Sequence, residues 1–162
     1  MALTLELADH AATRALGRRL GELAPPGLLL RLDGPLGAGK TTLVQGVAEG
    51  LAVPPSTQVR SPSFALVRIH EGGRLALVHV DLYRLGDPDE LTELGLDDWF
   101  DAQSLVAVEW ADRFAGELPH GGLAIRLDYA DDGGRDVQLS WVPADEQPDW
   151  LRRLASGGGD DG

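Results

Sequence analysis

The stretch "GPLGAGKTT" at residues 34–42 constrains the fold of this chain more than any other sequence feature. It matches the pattern G-x-x-x-x-G-K-[ST] through Gly34, Gly39, Lys40 and Thr41. The aliphatic run "LLLRLD" precedes it and predicts a buried strand, and the helical pattern "KTTLVQGVAEGL" follows it. A strand, a glycine-rich loop and a helix in this order predict an α/β fold with a phosphate-binding loop.

The chemistry of such a loop explains why the chain places its single lysine there. Lys40 is the one lysine among 14 Lys and Arg residues. Backbone N–H groups of a glycine-rich loop form an anion nest, and the helix N-terminus adds partial positive charge. A slim ammonium reaches the β- and γ-phosphates in this nest, whereas a planar guanidinium has the wrong shape. The Thr41 hydroxyl is then the expected protein ligand for Mg²⁺.

Length, charge and cysteine content narrow the class of protein. The 162 residues, 43% of them hydrophobic, predict one globular domain over residues 1–150 and a frayed acidic, glycine-rich tail over residues 151–162. A net charge of −12 argues against direct binding to nucleic-acid backbones, so any contact with RNA should run through a partner. The absence of cysteine excludes disulfides and thiolate metal sites. No signal peptide or spanning segment is recognisable, and we expect a cytoplasmic protein without membrane contact.

The remaining patterns predict the elements around the phosphate loop. Helices are expected over residues 9–24, with Asp9 as N-cap, and from Asp87 onward. The run "SLVAVEW" predicts another buried strand, and the segments around "EGG" and "ADDGG" predict two hairpins. The predicted fold is therefore a three-layer α/β P-loop NTPase-like domain, with a mostly parallel central sheet and antiparallel hairpin strands.

Two acidic residues follow the predicted strands at positions suited to phosphoryl transfer, which requires an acid to hold Mg²⁺ and a group to orient the nucleophile. Asp81 ends "LALVHVD" and Glu109 ends "LVAVE". Because the carboxyl ends of parallel strands meet at one edge of the sheet, we expect both acids beside the phosphate loop. Taken alone, each acid is also compatible with capping the next helix. His79 shares a strand face with Asp81, and we interpret it as a hydrogen-bonded strand histidine.

A third candidate is the short segment "RSPSF", which contains Ser61, Pro62, Ser63 and Phe64. Pro62 restricts Ser61 to extended backbone geometry, and the two hydroxyls at a strand entrance suit a γ-phosphate sensor. An ordinary turn explains the same residues equally well.

Five stretches together resemble the TsaE (YjeE) family, small bacterial P-loop ATPases needed to make threonylcarbamoyladenosine in tRNA. They occur in the family's order and cover most of residues 8–140. The combination of "HVDLYRL" and "VEW" at this spacing is the most specific of them. The five stretches are "GPLGAGKTTL", "VRSPSFALV", "HVDLYRLGDPDEL", "LVAVEW" and "IRLDYADDGGR".

The resemblance implies a role for each candidate residue. Asp81 would be the catalytic acid residue beside the γ-phosphate, Arg135 would touch the nucleotide from the far hairpin, and Thr13 would lie near the adenine. Thr41 and Glu109 would coordinate Mg²⁺, and "RSPSF" would be a switch loop. The residues implied to hold the triphosphate of ATP are Gly37, Ala38, Gly39, Lys40, Thr41 and Thr42.

The resemblance also implies an activity and partners. The protein would bind and hydrolyse ATP, weakly when alone, and would cycle on a complex of TsaB- and TsaD-like threonylcarbamoyl-transfer proteins. It would thereby be required for threonylcarbamoyladenosine at position 37 of tRNAs that read codons beginning with A, and would meet tRNA only indirectly. A small-molecule P-loop kinase and a nucleotide-dependent adaptor without hydrolysis remain alternatives. A GTP switch is disfavoured because the guanine motif N-K-x-D requires a second lysine.

Overall fold

The computed structural model describes residues 2–55, 67–93, 95, 98, 103–119 and 121–156. These residues form seven strands and four α-helices, and a 3-10 turn at Ala111–Phe114 follows the fifth strand. The elements in chain order are β1 (Leu3–Leu7), α1 (His10–Leu23), β2 (Leu29–Asp33), α2 (Lys40–Gly50), β3 (Val67–His70), β4 (Ala76–Asp81), α3 (Pro88–Glu93), β5 (Ser104–Glu109), β6 (Gly122–Tyr129), β7 (Arg135–Val142) and α4 (Asp149–Ser156).

All seven strands belong to one sheet, with the order β1-β7-β6-β2-β5-β4-β3. The four central strands β6, β2, β5 and β4 are parallel to one another. The hairpin β3–β4 and the hairpin β6–β7 are antiparallel, and β1 pairs antiparallel with β7. The predicted α/β fold, with its parallel centre and antiparallel hairpin strands, is confirmed. Strand β2, which leads into the phosphate loop, lies in the middle of the parallel region.

Hydrophobic side chains cover both faces of the central sheet. Leu30 and Leu32 of β2 pack into a cluster with the buried residues of α1 and α2, including Leu20 and Val47. Leu29 points to the opposite face, into a cluster that includes residues of β4, β5, α3 and the 3-10 turn. Because successive side chains of a strand alternate between faces, a run of aliphatic residues suits a strand that is buried on both sides.

Helices α1 and α2 pack at backbone contact distance through four glycines, Gly17, Gly21, Gly46 and Gly50. A Cβ atom at Gly17 would lie 2.1 Å from the Leu43 carbonyl oxygen, and one at Gly46 would lie 2.1 Å from the Arg14 carbonyl oxygen. No side chain fits at these separations, since real Cβ atoms do not approach oxygen this closely. The α1–α2 glycine interface therefore sets where α2, the helix of the phosphate loop, lies on the domain.

The predicted helices, strands and hairpins agree with these elements. The Asp9 side chain caps α1, accepting a hydrogen bond from the Ala12 N–H at 2.8 Å. One boundary was wrong: residues from 151 onward are not all tail, because α4 runs to Ser156 and buries Leu151 and Leu154. Strand β1 was not predicted, because five alternating residues carry little signal without their partner strand. Within the described ranges, no helix combines the length and the apolar character needed to cross a membrane.

Candidate nucleotide-binding site

The phosphate loop adopts a backbone that only glycine permits at its start and end. Gly34 has φ 145°, and a Cβ there would lie 2.1 Å from the Leu127 carbonyl oxygen of β6. Gly39, the N-cap of α2, has φ 110°. Since glycine has no side chain that could cap the helix, the N–H groups of the first turn remain available to an anion. The loop geometry therefore fits the predicted phosphate nest.

Lys40 is buried at the centre of this loop, with a residue exposure of 5%. Its Nζ donates to the carbonyl oxygens of Gly34 at 2.6 Å and Pro35 at 3.0 Å. The same atom lies 4.1 Å from the centroid of the Trp110 ring, within the range of a cation–π interaction. Burial lowers the pKa of Lys40, while the nearby carboxylates of Glu109 and Asp81 oppose that shift. Among the described residues, the ammonium is thus positioned by neutral acceptors and a ring, without a direct ion pair.

Asp81 and Glu109 lie side by side at the carboxyl ends of β4 and β5, where they are paired in register. Glu109 is buried, and both of its carboxylate oxygens lie 3.4 Å from the Thr41 hydroxyl of α2. Asp81 is partly exposed and accepts a hydrogen bond from the Tyr83 N–H at 2.9 Å. The fold thus brings Lys40, Thr41 and both acids to one edge of the sheet, as the strand pattern predicted.

Thr41 and Glu109 together offer oxygen donors of the type that Mg²⁺ prefers. Magnesium is usually held by one or two carboxylates together with phosphate oxygens and water, not by an all-protein cage. The described part of the chain contains no group of three or more His, Cys, Asp or Glu side chains arranged to hold a metal. The donor set fits an ion that is shared with a bound phosphate.

Arg135 holds the phosphate loop from the β6–β7 hairpin. Its Nε donates to the Ala38 carbonyl oxygen at 2.8 Å and its Nη2 to that of Gly37 at 3.4 Å. The guanidinium also lies 4.7 Å from the Tyr129 ring centroid, and the Tyr129 hydroxyl donates to the Leu36 carbonyl oxygen. In this structure Arg135 therefore contacts the backbone of the loop at the positions implied to bind nucleotide.

Thr13 of α1 and Thr42 of α2 line two separate recesses, and His10 lines both. Thr13 is buried and lines a cavity of about 150 Å³ together with Asp9, His10, Ala38 and Arg135. Thr42, in the first turn of α2, lines a second, more open groove with His10. The cavity beside Thr13 adjoins the loop at the side away from the two acids. The switch candidates Ser61, Pro62, Ser63 and Phe64 lie outside the described residues.

Two residues at the site were not predicted to have a role there. Trp110 has a left-handed backbone with φ 62°, its ring centroid lies 4.1 Å from Lys40 Nζ, and its ring lies 5.0 Å from that of Tyr83. Asp33, just before the loop, is buried and its Oδ1 accepts a hydrogen bond from the Asp112 N–H at 3.0 Å. Burial raises the pKa of Asp33. The sequence signal that could have found both is their position next to a predicted site residue, since Trp110 follows Glu109 and Asp33 precedes Gly34.

Comparison with known proteins gives a consistent answer. The family model described as "Threonylcarbamoyl adenosine biosynthesis protein TsaE" matches residues 7–137. The tRNA threonylcarbamoyladenosine biosynthesis protein TsaE of Bacillus subtilis is 39% identical over 130 residues, which are 80% of each chain. The protein of the same name from Streptomyces coelicolor is 46% identical over 120 residues, covering 72% of this chain and 79% of the relative.

A solved structure extends the similarity to the whole fold. The crystal structure of YdiB from Bacillus subtilis superimposes with a TM-score of 0.80 at 30% sequence identity, covering 96% of this chain and 95% of that one. The matched residues 7–137 include the phosphate loop, both acids and Arg135. On this evidence the chain belongs to the threonylcarbamoyl adenosine biosynthesis protein TsaE family.

Proposed function

We propose that this protein binds ATP together with Mg²⁺ and hydrolyses it in the formation of threonylcarbamoyladenosine on tRNA. The observation that carries the proposal is the cluster of Lys40, Thr41, Asp81 and Glu109 around the start of α2. The family supports nucleotide binding, and the names of its members supply the tRNA modification. The proposed target is position 37 of tRNAs that read codons beginning with A.

The phosphate loop would bind the triphosphate through its backbone and through Lys40. Residues 37–42 present the first-turn N–H groups of α2, and the Lys40 ammonium is already near the loop carbonyls. A phosphate oxygen is a stronger acceptor than a carbonyl because it is charged. Lys40 would therefore exchange its hydrogen bonds to Gly34 and Pro35 for bonds to the β- and γ-phosphates. Burial strengthens that attraction by lowering the local dielectric constant.

Thr41 and Glu109 would hold the Mg²⁺. The ion supplies neutralisation of the negative charge that develops on the phosphates during transfer. The chain's own part is to aim two oxygen donors at one point, and the symmetric 3.4 Å separation of the Thr41 hydroxyl from both Glu109 oxygens is consistent with that part. Asp81, in register with Glu109 but more exposed, would orient the attacking water.

Arg135 and Thr13 would contact the nucleotide on the side away from the acids. Arg135 already contacts the backbone of Gly37 and Ala38, so a small shift would bring its guanidinium to a phosphate or ribose oxygen. The cavity beside Thr13, which Ala38 of the loop also lines, is the proposed recess for the base. Adenine is the proposed base, because a guanine motif would require a second lysine and Lys40 is the only one.

TsaB- and TsaD-like proteins are the proposed partners, and tRNA would be met only through them. A net charge of −12 repels nucleic acid and attracts a protein surface that is basic enough to hold it. The proposed location is the cytoplasm, because the proposed partners act on tRNA. The segment with Ser61, Pro62, Ser63 and Phe64 stays the proposed switch loop, and a partner that binds one of its states would shift the balance between them.

The test is the rate of ATP hydrolysis by the purified chain, alone and with the TsaB- and TsaD-like pair. We expect slow hydrolysis alone and at least a tenfold increase with the pair, about 1.4 kcal/mol of barrier. Asp81→Asn should bind ATP nearly as well as the unchanged chain but lose turnover. Fast hydrolysis that ignores the pair would contradict the proposal, and modification without any hydrolysis would favour the adaptor alternative.

A further inference from the structure

His79 is a buried histidine that contacts one of the two acids of the site. Its side chain has no exposed surface, and its Nε2 lies 2.5 Å from Glu109 Oε2. A carboxylate oxygen can only accept, so the hydrogen of this bond belongs to Nε2. The other ring nitrogen, Nδ1, is also buried and has no hydrogen-bond partner in the described part of the chain. Among the described residues, the hydrogen bond to Glu109 is therefore the single one that the His79 ring makes.

The strand register fixes this contact. His79 and Asp81 are two residues apart on β4, so their side chains point to the same face of the sheet. Glu109 is paired with Asp81 on the neighbouring strand, and its carboxylate lies between the His79 ring and the Thr41 hydroxyl. With only 3% of Glu109 exposed, water does little to orient that carboxylate. Its direction is set by these two side chains.

The surroundings of the ring do not by themselves explain a histidine at this place. Leaving a buried ring nitrogen without a partner costs free energy, and an aliphatic side chain would avoid that cost. The neighbouring strand residues Leu77 and Ala107 show that the surroundings are largely apolar. The contact that distinguishes a histidine from an aliphatic residue here is the hydrogen bond to Glu109.

We propose that His79 is a positioning residue: its Nε2–H fixes the Glu109 carboxylate so that the Mg²⁺ bound with the nucleotide meets a preoriented oxygen. The inference rests on the proposed function, because it assigns Glu109 to the ion. Carboxylates that bind metals are commonly held by a hydrogen bond from a neighbouring group, and loss of such a group lowers metal affinity about 10- to 100-fold. His79 would not itself touch the ion or the nucleotide.

The experiment compares the affinity of the full chain for a fluorescent ATP analogue with and without Mg²⁺. The readout is the Mg²⁺ ratio, which is the dissociation constant without Mg²⁺ divided by the dissociation constant with Mg²⁺. This ratio isolates the contribution of the ion to binding. We expect His79→Leu to reduce this ratio about tenfold while the affinity without Mg²⁺ changes less than about twofold. His79→Gln should recover most of the ratio, because the glutamine amide nitrogen reaches the position of Nε2. His79→Asn should not recover it, because its amide nitrogen lies where Nδ1 was.

His70→Leu is the matched control. His70 on β3 is likewise buried, and neither of its ring nitrogens has a hydrogen-bond partner among the described residues. It has no contact with Glu109 there, so its removal should leave the Mg²⁺ ratio unchanged. If His79→Leu does not fold, as judged by circular dichroism, the contrast between the Gln and Asn variants carries the test.

The outcomes separate the inference from the function on which it rests. A folded His79→Leu protein whose Mg²⁺ ratio equals that of the unchanged chain would overturn the inference but not the proposed function. An equal loss in His70→Leu would also overturn it, because the effect would then belong to strand packing. If the unchanged chain binds the analogue no more tightly with Mg²⁺, the proposed function fails and the inference fails with it.

Discussion

Two buried regions of this molecule differ in the interactions that define them. The α1–α2 glycine interface is defined by shape, since four glycines allow backbone to lie against backbone. The site at the carboxyl ends of β4 and β5 is defined by charge, since Lys40, Glu109 and His79 are buried there. The first region makes its packing contacts entirely between α1 and α2 of the folded chain. Within the described part of the chain, the second region contains a cation without a direct ion pair, Lys40, and a ring nitrogen of His79 without a hydrogen-bond partner.

The difference indicates which region serves stability and which serves function. Close packing contributes to folding, and even one extra methyl group in a packed interface is felt. Buried charges are costly, and are retained where a ligand compensates them or where chemistry requires them. Substitutions in the glycine interface should therefore change unfolding, and substitutions in the site should change ligand binding. Four predictions test that separation, starting with the largest effect.

Lys40→Ala should weaken ATP binding by about 2 to 4 kcal/mol, because it removes the charge that faces the β- and γ-phosphates. Lys40→Arg should fail as well, since the guanidinium does not fit the loop. The melting temperature without nucleotide should change by no more than about 4 °C. Calorimetric titration and thermal melts measure both quantities. Near-normal ATP binding by both variants would contradict the assigned geometry of the loop.

Gly46→Ala should lower the free energy of unfolding by at least about 2 kcal/mol, because its Cβ would meet the Arg14 carbonyl oxygen. Helix propensity alone predicts the opposite, a gain of about 1 kcal/mol. Urea denaturation distinguishes the two. Gly116→Ala is the control, since a Cβ there meets nothing within 4 Å. A stabilised Gly46→Ala protein would show that the helices are not packed as described.

Asp33→Asn should raise the melting temperature more at pH 7 than near pH 4. Burial raises the pKa of Asp33, so the folded chain holds this proton more tightly than the unfolded chain does. Stability is then lost as the pH rises above the ordinary value of 3.8, and asparagine removes that loss. The amide oxygen of asparagine still accepts from the Asp112 N–H. An equal effect at both pH values would mean that burial does not disfavour this charge.

Glu49→Gln should have the smallest effect, less than about 1 kcal/mol of stability. Glu49 of α2 pairs with Arg14 and Arg18 of α1, at the exposed rim of the glycine interface. The two arginines lower the pKa of Glu49 by hydrogen bonding, but water and salt screen the pairs. Melting curves at low and high salt measure the effect. A loss as large as that of Gly46→Ala would place the strength of the interface in its ion pairs.

The sequence alone predicts most of the elements and the edge of the sheet at which the acids lie, but not β1 or α4. The pattern at residues 34–42 specifies strand, loop and helix together, and parallel strands bring Asp81 and Glu109 to that same edge. The tertiary contacts could not be read in this way. The stacking of Lys40 on Trp110 depends on a left-handed residue that carries no sequence signal. The contact between His79 and Glu109 depends on which strand lies beside which, and only the sheet order shows that.

The packing of α1 on α2 and the boundaries of α4 likewise could not be predicted from the sequence. Gly46 reads as a weak point in a predicted helix, yet it is the residue that lets α1 approach α2. The sequence predicts a tail where helix α4 lies, because glycine and aspartate dominate the last residues of the chain. Its buried Leu151 and Leu154 become informative only once α1 is known to lie nearby.

The most direct test of the central claim is threonylcarbamoyladenosine formation in a reconstituted mixture of tRNA, the TsaB- and TsaD-like pair and this protein. The unchanged chain should support modification that depends on ATP, and Lys40→Ala should support none while remaining folded. Gly116→Ala should behave like the unchanged chain. Full modification in the presence of Lys40→Ala would contradict the claim that nucleotide bound at this loop drives the reaction.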